Sequence, residues 1–200
     1  LAAIDEPGAR SWRPFQLAFV LLNVAPFVDP THAERADLVD LLWFPTGGGK
    51  TEAYLGVAAF AMGIRRLQRE QYPLGYEGVT VLMRYTLRLL TLQQFQRATT
   101  LMAACEIIRR GDPATWGDEP FRIGLWVGQS STPNRTEDAA AVINSARHND
   151  FRADYSGSVG GSGTPHQLTT CPWCGRPITM NQIEVDTFAA GRGRTLQYCS

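Results

Sequence analysis

Short apolar runs and stretches of helical periodicity alternate along the chain. Residues 38–44, 79–85 and 121–127 are apolar runs of the length typical of buried parallel strands. Apolar residues at helical spacing lie before, between and after these runs, and they predict helices over residues 15–24, 52–70, 87–110 and 137–147. Alternation of strands and helices at this spacing predicts an α/β fold built on a parallel sheet.

The composition changes after residue 155. Residues 156–167 begin with a run of Gly and Ser that has no periodicity, which is typical of a flexible linker, whether natural or engineered. Residues 168–200 are polar and carry three cysteines. We therefore predict a lobe over residues 1–155, a linker over 156–167 and a small cysteine-bearing element over 168–200.

Charge and cysteine content exclude several classes of protein. The 200 residues hold 19 basic and 19 acidic side chains, a balance that excludes a disordered acidic tail or a wholly basic nucleic-acid arm. No apolar stretch reaches the ~18 residues of a membrane span. Four cysteines in a chain of this length do not suit a secreted disulfide scaffold, so we expect the reducing cytoplasm. The start without Met and the stop one residue after a cysteine predict a piece of a longer protein.

The sequence Pro-Thr-Gly-Gly-Gly-Lys-Thr at residues 45–51 joins the first predicted strand to its helix. Glycines in such a loop turn backbone N–H groups towards phosphate oxygens, and the helix N-terminus adds partial positive charge. Eighteen of the 19 basic residues are Arg, and Lys50 is the single Lys, a compact cation suited to phosphate. We predict that Lys50 and Thr51 are catalytic, with Lys50 on the β- and γ-phosphates of ATP and Thr51 on Mg²⁺. The remaining loop contacts with ATP are assigned to Thr46, Gly47, Gly48 and Gly49.

This form of the loop resembles the first motif of superfamily 2 helicases. It departs from the general phosphate-loop pattern at Phe44, where that pattern has Gly or Ala. The resemblance implies a RecA-like lobe. Upstream, residues 13–16 read Arg-Pro-Phe-Gln and resemble the element with which these helicases recognise adenine, which implies that Arg13 and Gln16 bind ATP.

Residues 83–94, which follow the second predicted strand, resemble motif Ia of the same superfamily. In those proteins hydroxyl, Arg and Gln groups hold backbone phosphates and position the strand without reading its sequence. Alternatively, the arginines here are solvated residues near a helix start. The DNA contacts that the resemblance implies are Arg84, Thr86, Arg88, Gln93 and Gln94.

Residues 43–55, 81–97 and 121–128 together resemble the DrmA family, the helicases of the DISARM bacterial antiphage system. The resemblance implies a large ATP-driven motor in the bacterial cytoplasm that acts on a DNA single strand or duplex end, with a second DISARM subunit as partner. Such a motor needs an Asp-Glu pair after an apolar strand, and neither Asp5-Glu6 nor Asp118-Glu119 fits. We therefore expect these 200 residues alone to be inactive. A non-hydrolysing nucleotide-binding scaffold is the alternative, and a small-molecule kinase is a more remote one.

Cys171 and Cys174 form a Cys-Pro-Trp-Cys-Gly turn, and Cys199 follows 25 residues later. Two thiolates at this spacing with a third nearby are typical of a structural Zn²⁺ site, here an incomplete zinc ribbon. A redox pair is the alternative. The fourth ligand is expected beyond residue 200, with His166 as the less favoured choice. Cys105 lies in an apolar-periodic segment and is interpreted as a buried free thiol.

Overall fold

The computed structural model describes residues 11–45, 47–72, 77–85, 88–148, 163–189 and 192–199. Backbone packing divides the chain into two compact units, Leu1–Ile123 and Gly124–Ser200. Most of the predicted linker lies outside the described residues, so the predicted domain boundaries stay predictions. Within the described ranges, no helix is both long and apolar enough to span a membrane.

Unit 1 is helical in its described part, and its helix ends lie within three residues of most predicted ends. The predicted helix 15–24 corresponds to α1, and a break at Asn23 separates it from a second helix that was not predicted. The chain forms α1 Pro14–Leu22, α2 Val24–Val28, α3 Glu34–Asp37, α4 Lys50–Leu67, α5 Arg88–Gly111 and α6 Pro113–Trp116.

Helix α4 is the centre of unit 1 and packs against α1, α5 and α6. Its buried face is made of small residues such as Ala53, Ala58 and Ala61, which let neighbouring helices approach closely. At Gly56 a Cβ atom would lie 2.7 Å from the Trp12 ring, so that position has no room for a side chain. The close packing brings the start of α1 over the start of α4.

Buried arginines hold the chain that follows α5. The Arg109 guanidinium pairs with the Glu106 carboxylate, with Nε 2.8 Å from Oε2, and also donates to the Gly117 carbonyl at 2.9 Å. The Phe121 N–H donates to the same carboxylate at 3.0 Å, and Arg66 lies over the Phe121 ring at 4.6 Å. The hydrogen bond from Arg109 is the largest of the contacts that lower the pKa of Glu106 to about 2.

The three predicted parallel strands are not formed in the described residues, where 38–45, 79–85 and 120–128 lie outside helices and strands. The described structure does not show the parallel sheet, and the strand assignment of these segments stays a prediction. Several of their apolar side chains are exposed: Val39, Leu41 and Trp43 are 93%, 86% and 83% exposed, and Trp126 is 97% exposed. A parallel strand needs hydrogen-bonded neighbouring strands, and these segments have none in the described structure.

Unit 2 contains helix α7, Thr136–His148, and an antiparallel hairpin of β1, Ile183–Ala189, and β2, Arg192–Gln197. The register pairs Ile183 with Gln197 and Asp186 with Arg194. Helix α7 packs on both strands, and Arg147 from its last turn donates to the Ile183 carbonyl at 2.7 Å. The α7 prediction is confirmed within one residue at each end. The hairpin was not predicted. Its sheet is the one sheet among the described residues.

Candidate nucleotide site and metal centre

The phosphate loop in unit 1 is shaped by two glycines in the left-handed region. Gly47 has φ +80° and Gly49 has φ +91°, values that glycine adopts without the steric cost of a Cβ atom. Gly49 is the last residue before α4, and within the described part of the chain no side-chain hydrogen bond caps that helix. A helix start of this kind, with glycines leading into it, favours an anion.

Lys50 is the first residue of α4, and in this structure its ammonium group lies on the loop itself. Its Nζ donates to the carbonyl oxygens of Phe44 and of Pro45, the latter at 3.1 Å. The two carbonyl oxygens thus hold the ammonium group against the loop. Thr51 follows in the first turn of α4 and is half-buried. Thr46 lies outside the described residues.

Arg13 and Gln16 both contact the loop from the start of α1. The Arg13 guanidinium donates to the Gly48 carbonyl at 2.9 Å, and Gln16 Nε2 donates to the Gly49 carbonyl at 2.7 Å. The Oε1 of Gln16 accepts from the Arg13 N–H at 2.8 Å, so both ends of the amide are engaged. The structure brings these two predicted ATP contacts to the loop, and their contact with adenine stays a prediction.

Two contacts around the loop were missed by the sequence analysis. The rings of Phe15 and Phe44 are stacked, with centroids 3.9 Å apart and planes at 13°. Glu52, in the first turn of α4, forms an ion pair with Arg97 of α5. The Phe44 departure from the general loop pattern was visible, but no local pattern indicates a ring partner 29 positions earlier in the chain.

The predicted DNA contacts are described only in part. Arg84 and Gln93 are exposed, whereas Gln94 is half-buried. Among the described residues, the Oε1 of Gln94 is buried without a hydrogen-bond partner, which is costly unless another group meets it. Thr86 and the side chain of Arg88 lie outside the described residues. The role of this segment stays a prediction.

The three cysteines of unit 2 come together as the sequence predicts. The Sγ atoms of Cys171, Cys174 and Cys199 all lie within 4.8 Å of one another, and those of Cys174 and Cys199 are 3.4 Å apart. Thiolates on one tetrahedral Zn²⁺ lie about 3.8 Å apart, given Zn–S bonds of about 2.3 Å. The cluster therefore fits a zinc ion and could hold one.

Backbone hydrogen bonds fold the Cys-Pro-Trp-Cys turn before any metal is considered. The Cys171 N–H donates to the Arg176 carbonyl at 2.8 Å, and the Gly175 N–H donates back to the Cys171 carbonyl at 2.8 Å. Gly175 has φ +73°. Ile178 donates to the Thr169 carbonyl at 2.9 Å and closes the base of the turn. This geometry directs the first two thiols to one side, where the end of β2 delivers the third.

The closely spaced sulfurs perturb Cys174 and Cys199. A hydrogen bond from the backbone of Arg176 and contacts with the other two thiols lower the pKa of Cys174. The neighbouring Cys174 and Cys171 sulfurs raise the pKa of Cys199 to about 12. Deprotonation of Cys199 is thus disfavoured beside the other two sulfurs.

His166 is not a member of the cysteine cluster. Its Nε2 lies 2.6 Å from the Ile178 carbonyl and so fastens the base of the cysteine turn. This contact speaks against His166 as the fourth ligand. Cys105 is half-buried in α5, and burial raises the pKa of its thiol, as expected for a thiol that packs rather than reacts.

Comparison with known proteins gives one informative match. The chain is 45% identical over 167 residues, 82% of its length, to the DISARM protein DrmA of Bacillus paralicheniformis. The chain is DrmA-like. The DrmA resemblance seen in the sequence is thus confirmed. The match spans only 14% of the length of that DrmA protein. No protein-family model and no solved structure match the chain.

Proposed function

We propose that this chain is the nucleotide-binding part of a DrmA-like, ATP-driven DNA helicase or translocase of superfamily 2. The observation that carries the proposal is the phosphate loop. Gly47 and Gly49 turn the chain into the uncapped start of an 18-residue helix, and the single lysine of the chain is the first residue of that helix. In this proposal Lys50 binds the β- and γ-phosphates of ATP, Thr51 ligates Mg²⁺, and Arg13 and Gln16 reach the nucleotide from α1.

A RecA-like lobe would explain the uncovered apolar segments of unit 1. Val39, Leu41 and Trp43 are spaced two apart and are more than 80% exposed, as expected for one face of a strand that has not been covered. We infer that residues 38–44, 79–85 and 121–127 become parallel strands when the remainder of a longer protein supplies neighbouring strands and helices. The length of the relative, of which the match spans 14%, leaves ample chain for this.

DNA would lie along the segment that leads into α5. Arg84 and Gln93 are exposed there, and the buried Oε1 of Gln94 has no partner within the described part of the chain. We propose that Arg84, Thr86, Arg88, Gln93 and Gln94 line the path of the DNA backbone. Contacts of this kind hold a strand during translocation without selecting its sequence.

The cysteine cluster of unit 2 would serve as a structural zinc site. Cys171, Cys174 and Cys199 supply three thiolates, and a closed four-ligand site needs one further ligand from the longer protein. In such a site zinc contributes folding free energy rather than chemistry.

The remaining parts of the motor lie outside these residues in our proposal. No apolar strand in the sequence ends in Asp-Glu, so the carboxylates that bind Mg²⁺ and activate water belong to the longer protein. The name of the relative places it in the DISARM system. We extend this to antiphage defence in the bacterial cytoplasm, with a second DISARM subunit as partner.

ATP turnover by the full-length DrmA-like protein, with and without single-stranded DNA, tests this function. We expect DNA to stimulate turnover and Lys50→Ala to reduce it at least 100-fold, as a lost charge contact to the transferred phosphoryl group would. The charge-matched control is Arg194→Ala, since Arg194 lies in β2 of unit 2, is exposed and pairs with Asp186 at 3.0 Å.

Turnover that is unchanged in Lys50→Ala would overturn the proposal. ATP binding by the wild-type protein with no turnover under any DNA condition would favour the non-hydrolysing scaffold. Residues 1–200 alone are expected to show no turnover, and Lys50-dependent turnover by this piece would refute the assignment of the carboxylates to the remaining chain.

A further inference from the structure

Phe44 contacts the phosphate loop and α1 with the same ring. One face is stacked on Phe15 at 3.9 Å between centroids. The ring also lies against Gly48, where a Cβ atom would overlap Phe44 Cδ1. The ring therefore occupies the space that any side chain at position 48 would need, and it closes one side of the loop.

The backbone of Phe44 contacts the lysine of the loop. Its carbonyl accepts a hydrogen bond from Lys50 Nζ, which also reaches the Pro45 carbonyl at 3.1 Å. Residue 44 is thus linked to the loop twice, through its ring at Gly48 and through its carbonyl at Lys50.

Arg13 and Gln16, which lie close to Phe15 in the sequence, bind carbonyl oxygens of the loop. Arg13 donates to the Gly48 carbonyl at 2.9 Å and Gln16 to the Gly49 carbonyl at 2.7 Å. The stacked ring and the two hydrogen-bond donors all belong to residues 13–16. Phe15 stacks on Phe44, whose ring lies against Gly48. The two donors bind the carbonyl oxygens of the neighbouring residues Gly48 and Gly49. The loop is consequently fixed from α1 by one apolar and two polar contacts.

We propose that Phe44, stacked on Phe15, is a positioning residue that preorganises the phosphate loop for ATP. The inference rests on the proposed function, because it assumes that the loop binds the phosphates of Mg·ATP. A loop that is already ordered before binding loses little conformational entropy when the ligand binds. Loss of the ring would make Gly48 and the backbone around it more mobile. The loop would then have to become ordered on binding, and the affinity for Mg·ATP would fall.

Equilibrium binding of Mg·ATP to the full-length protein, measured by calorimetry alongside the melting temperature, tests this role. Phe44→Ala and Phe15→Ala should each weaken binding about 3- to 10-fold, the range of one aromatic pair. The double variant should bind about as weakly as either single variant, because the two rings act as one pair. Phe44→Tyr keeps the ring and should bind like wild type. Phe44→Leu and Phe15→Leu serve if the alanine variants do not fold.

Phe27→Ala is the matched control, because Phe27 forms an edge-to-face pair with Phe60 at 6.4 Å between centroids in the same unit. It should lower the melting temperature as Phe44→Ala does and leave Mg·ATP affinity unchanged. Wild-type affinity in a folded Phe44 variant that lacks the ring would overturn the inference, and so would equal loss of affinity in Phe27→Ala.

Failure of the proposed function gives a different result. If wild type does not bind Mg·ATP, or if Lys50→Ala binds it equally well, the proposed function and this inference both fall. If binding depends on Lys50 but not on the ring of Phe44, the proposed function stands and only the positioning role is overturned.

Discussion

The phosphate loop of unit 1 and the cysteine cluster of unit 2 are both candidate ligand sites, but they are held in different ways. The loop is fixed by neutral and charged hydrogen bonds from Arg13 and Gln16 and by the Phe15–Phe44 stack. The cysteine cluster gathers three thiols whose ionised forms repel. The comparison teaches that hydrogen bonds and a ring stack fix the loop, whereas the thiols, although gathered by a hydrogen-bonded turn, would still need a cation to offset the repulsion between their thiolates.

The largest expected effect follows from zinc at the cysteine cluster. The full-length protein should contain a zinc ion that Cys171→Ser removes, and removal should open β1 and β2 to protease, because structural zinc supplies about 10 kcal/mol or more of apparent binding free energy. Elemental analysis with limited proteolysis measures both. Cys105→Ser is the matched control, as Cys105 is half-buried in α5 and should leave the zinc content intact. If the Cys171→Ser protein kept its full zinc content, the cysteine cluster would not be the zinc site, and the comparison of the two sites would fail.

A smaller effect is expected at Glu106, which anchors the chain after α5 in unit 1. Glu106→Gln should weaken the hydrogen bond that the side chain accepts from the Phe121 N–H. Amide hydrogen exchange in this region should become roughly 10- to 100-fold faster at pH 7, because a hydrogen bond to a charged group contributes about 1.5–3 kcal/mol. Hydrogen exchange read by mass spectrometry measures it. Glu119→Gln is the control, since the Glu119 side chain is 61% exposed.

The same carboxylate sets a pH dependence with a definite sign. Its pKa is lowered from 4.5 to about 2, so its stabilising contribution is complete above pH 4.5 and is lost as pH falls from 4.5 towards 2. The difference in exchange between wild type and Glu106→Gln should shrink over that range. A difference that grows on acidification would contradict the assigned ion pair.

The smallest effect is expected for the ion pair between Glu52 and Arg97, whose side chains are 45% and 44% exposed. Exposed pairs contribute about 0.2–1 kcal/mol and are screened by salt. A double-mutant cycle with Glu52→Gln and Arg97→Gln, followed by denaturant unfolding, should give a coupling in that range that fades at high salt. A coupling above about 2 kcal/mol would show that charge, rather than the small-residue face of α4, joins α4 to α5.

Local chemistry explains which elements the sequence could predict. Helix α5 ends at Gly111 and α4 begins at Lys50, next to the Gly-Asp-Pro stop and the glycine loop that mark those ends. The cysteine cluster could also be predicted from the sequence, because the Cys-x-x-Cys turn is closed by its own backbone hydrogen bonds.

Non-local pairing explains what the sequence could not predict. Local apolar runs predicted strands at residues 38–44, 79–85 and 121–127, but strand formation depends on neighbouring strands and covering helices that a local run does not reveal. The hairpin carried a usable signal that was overlooked: from Ile183 to Thr187 apolar or β-branched residues alternate with Glu184 and Asp186, the period-2 pattern of a half-buried strand. The Phe15–Phe44 stack has no counterpart in local pattern at all.

The central claim is that Lys50 and the glycine loop hold the phosphates of ATP, and direct Mg·ATP binding to the full-length protein tests it. We predict that wild type and Arg194→Ala bind Mg·ATP alike, and that Lys50→Ala and Lys50→Arg both lose binding, since the planar guanidinium does not replace a compact ammonium group. Wild-type affinity in Lys50→Ala would contradict the account.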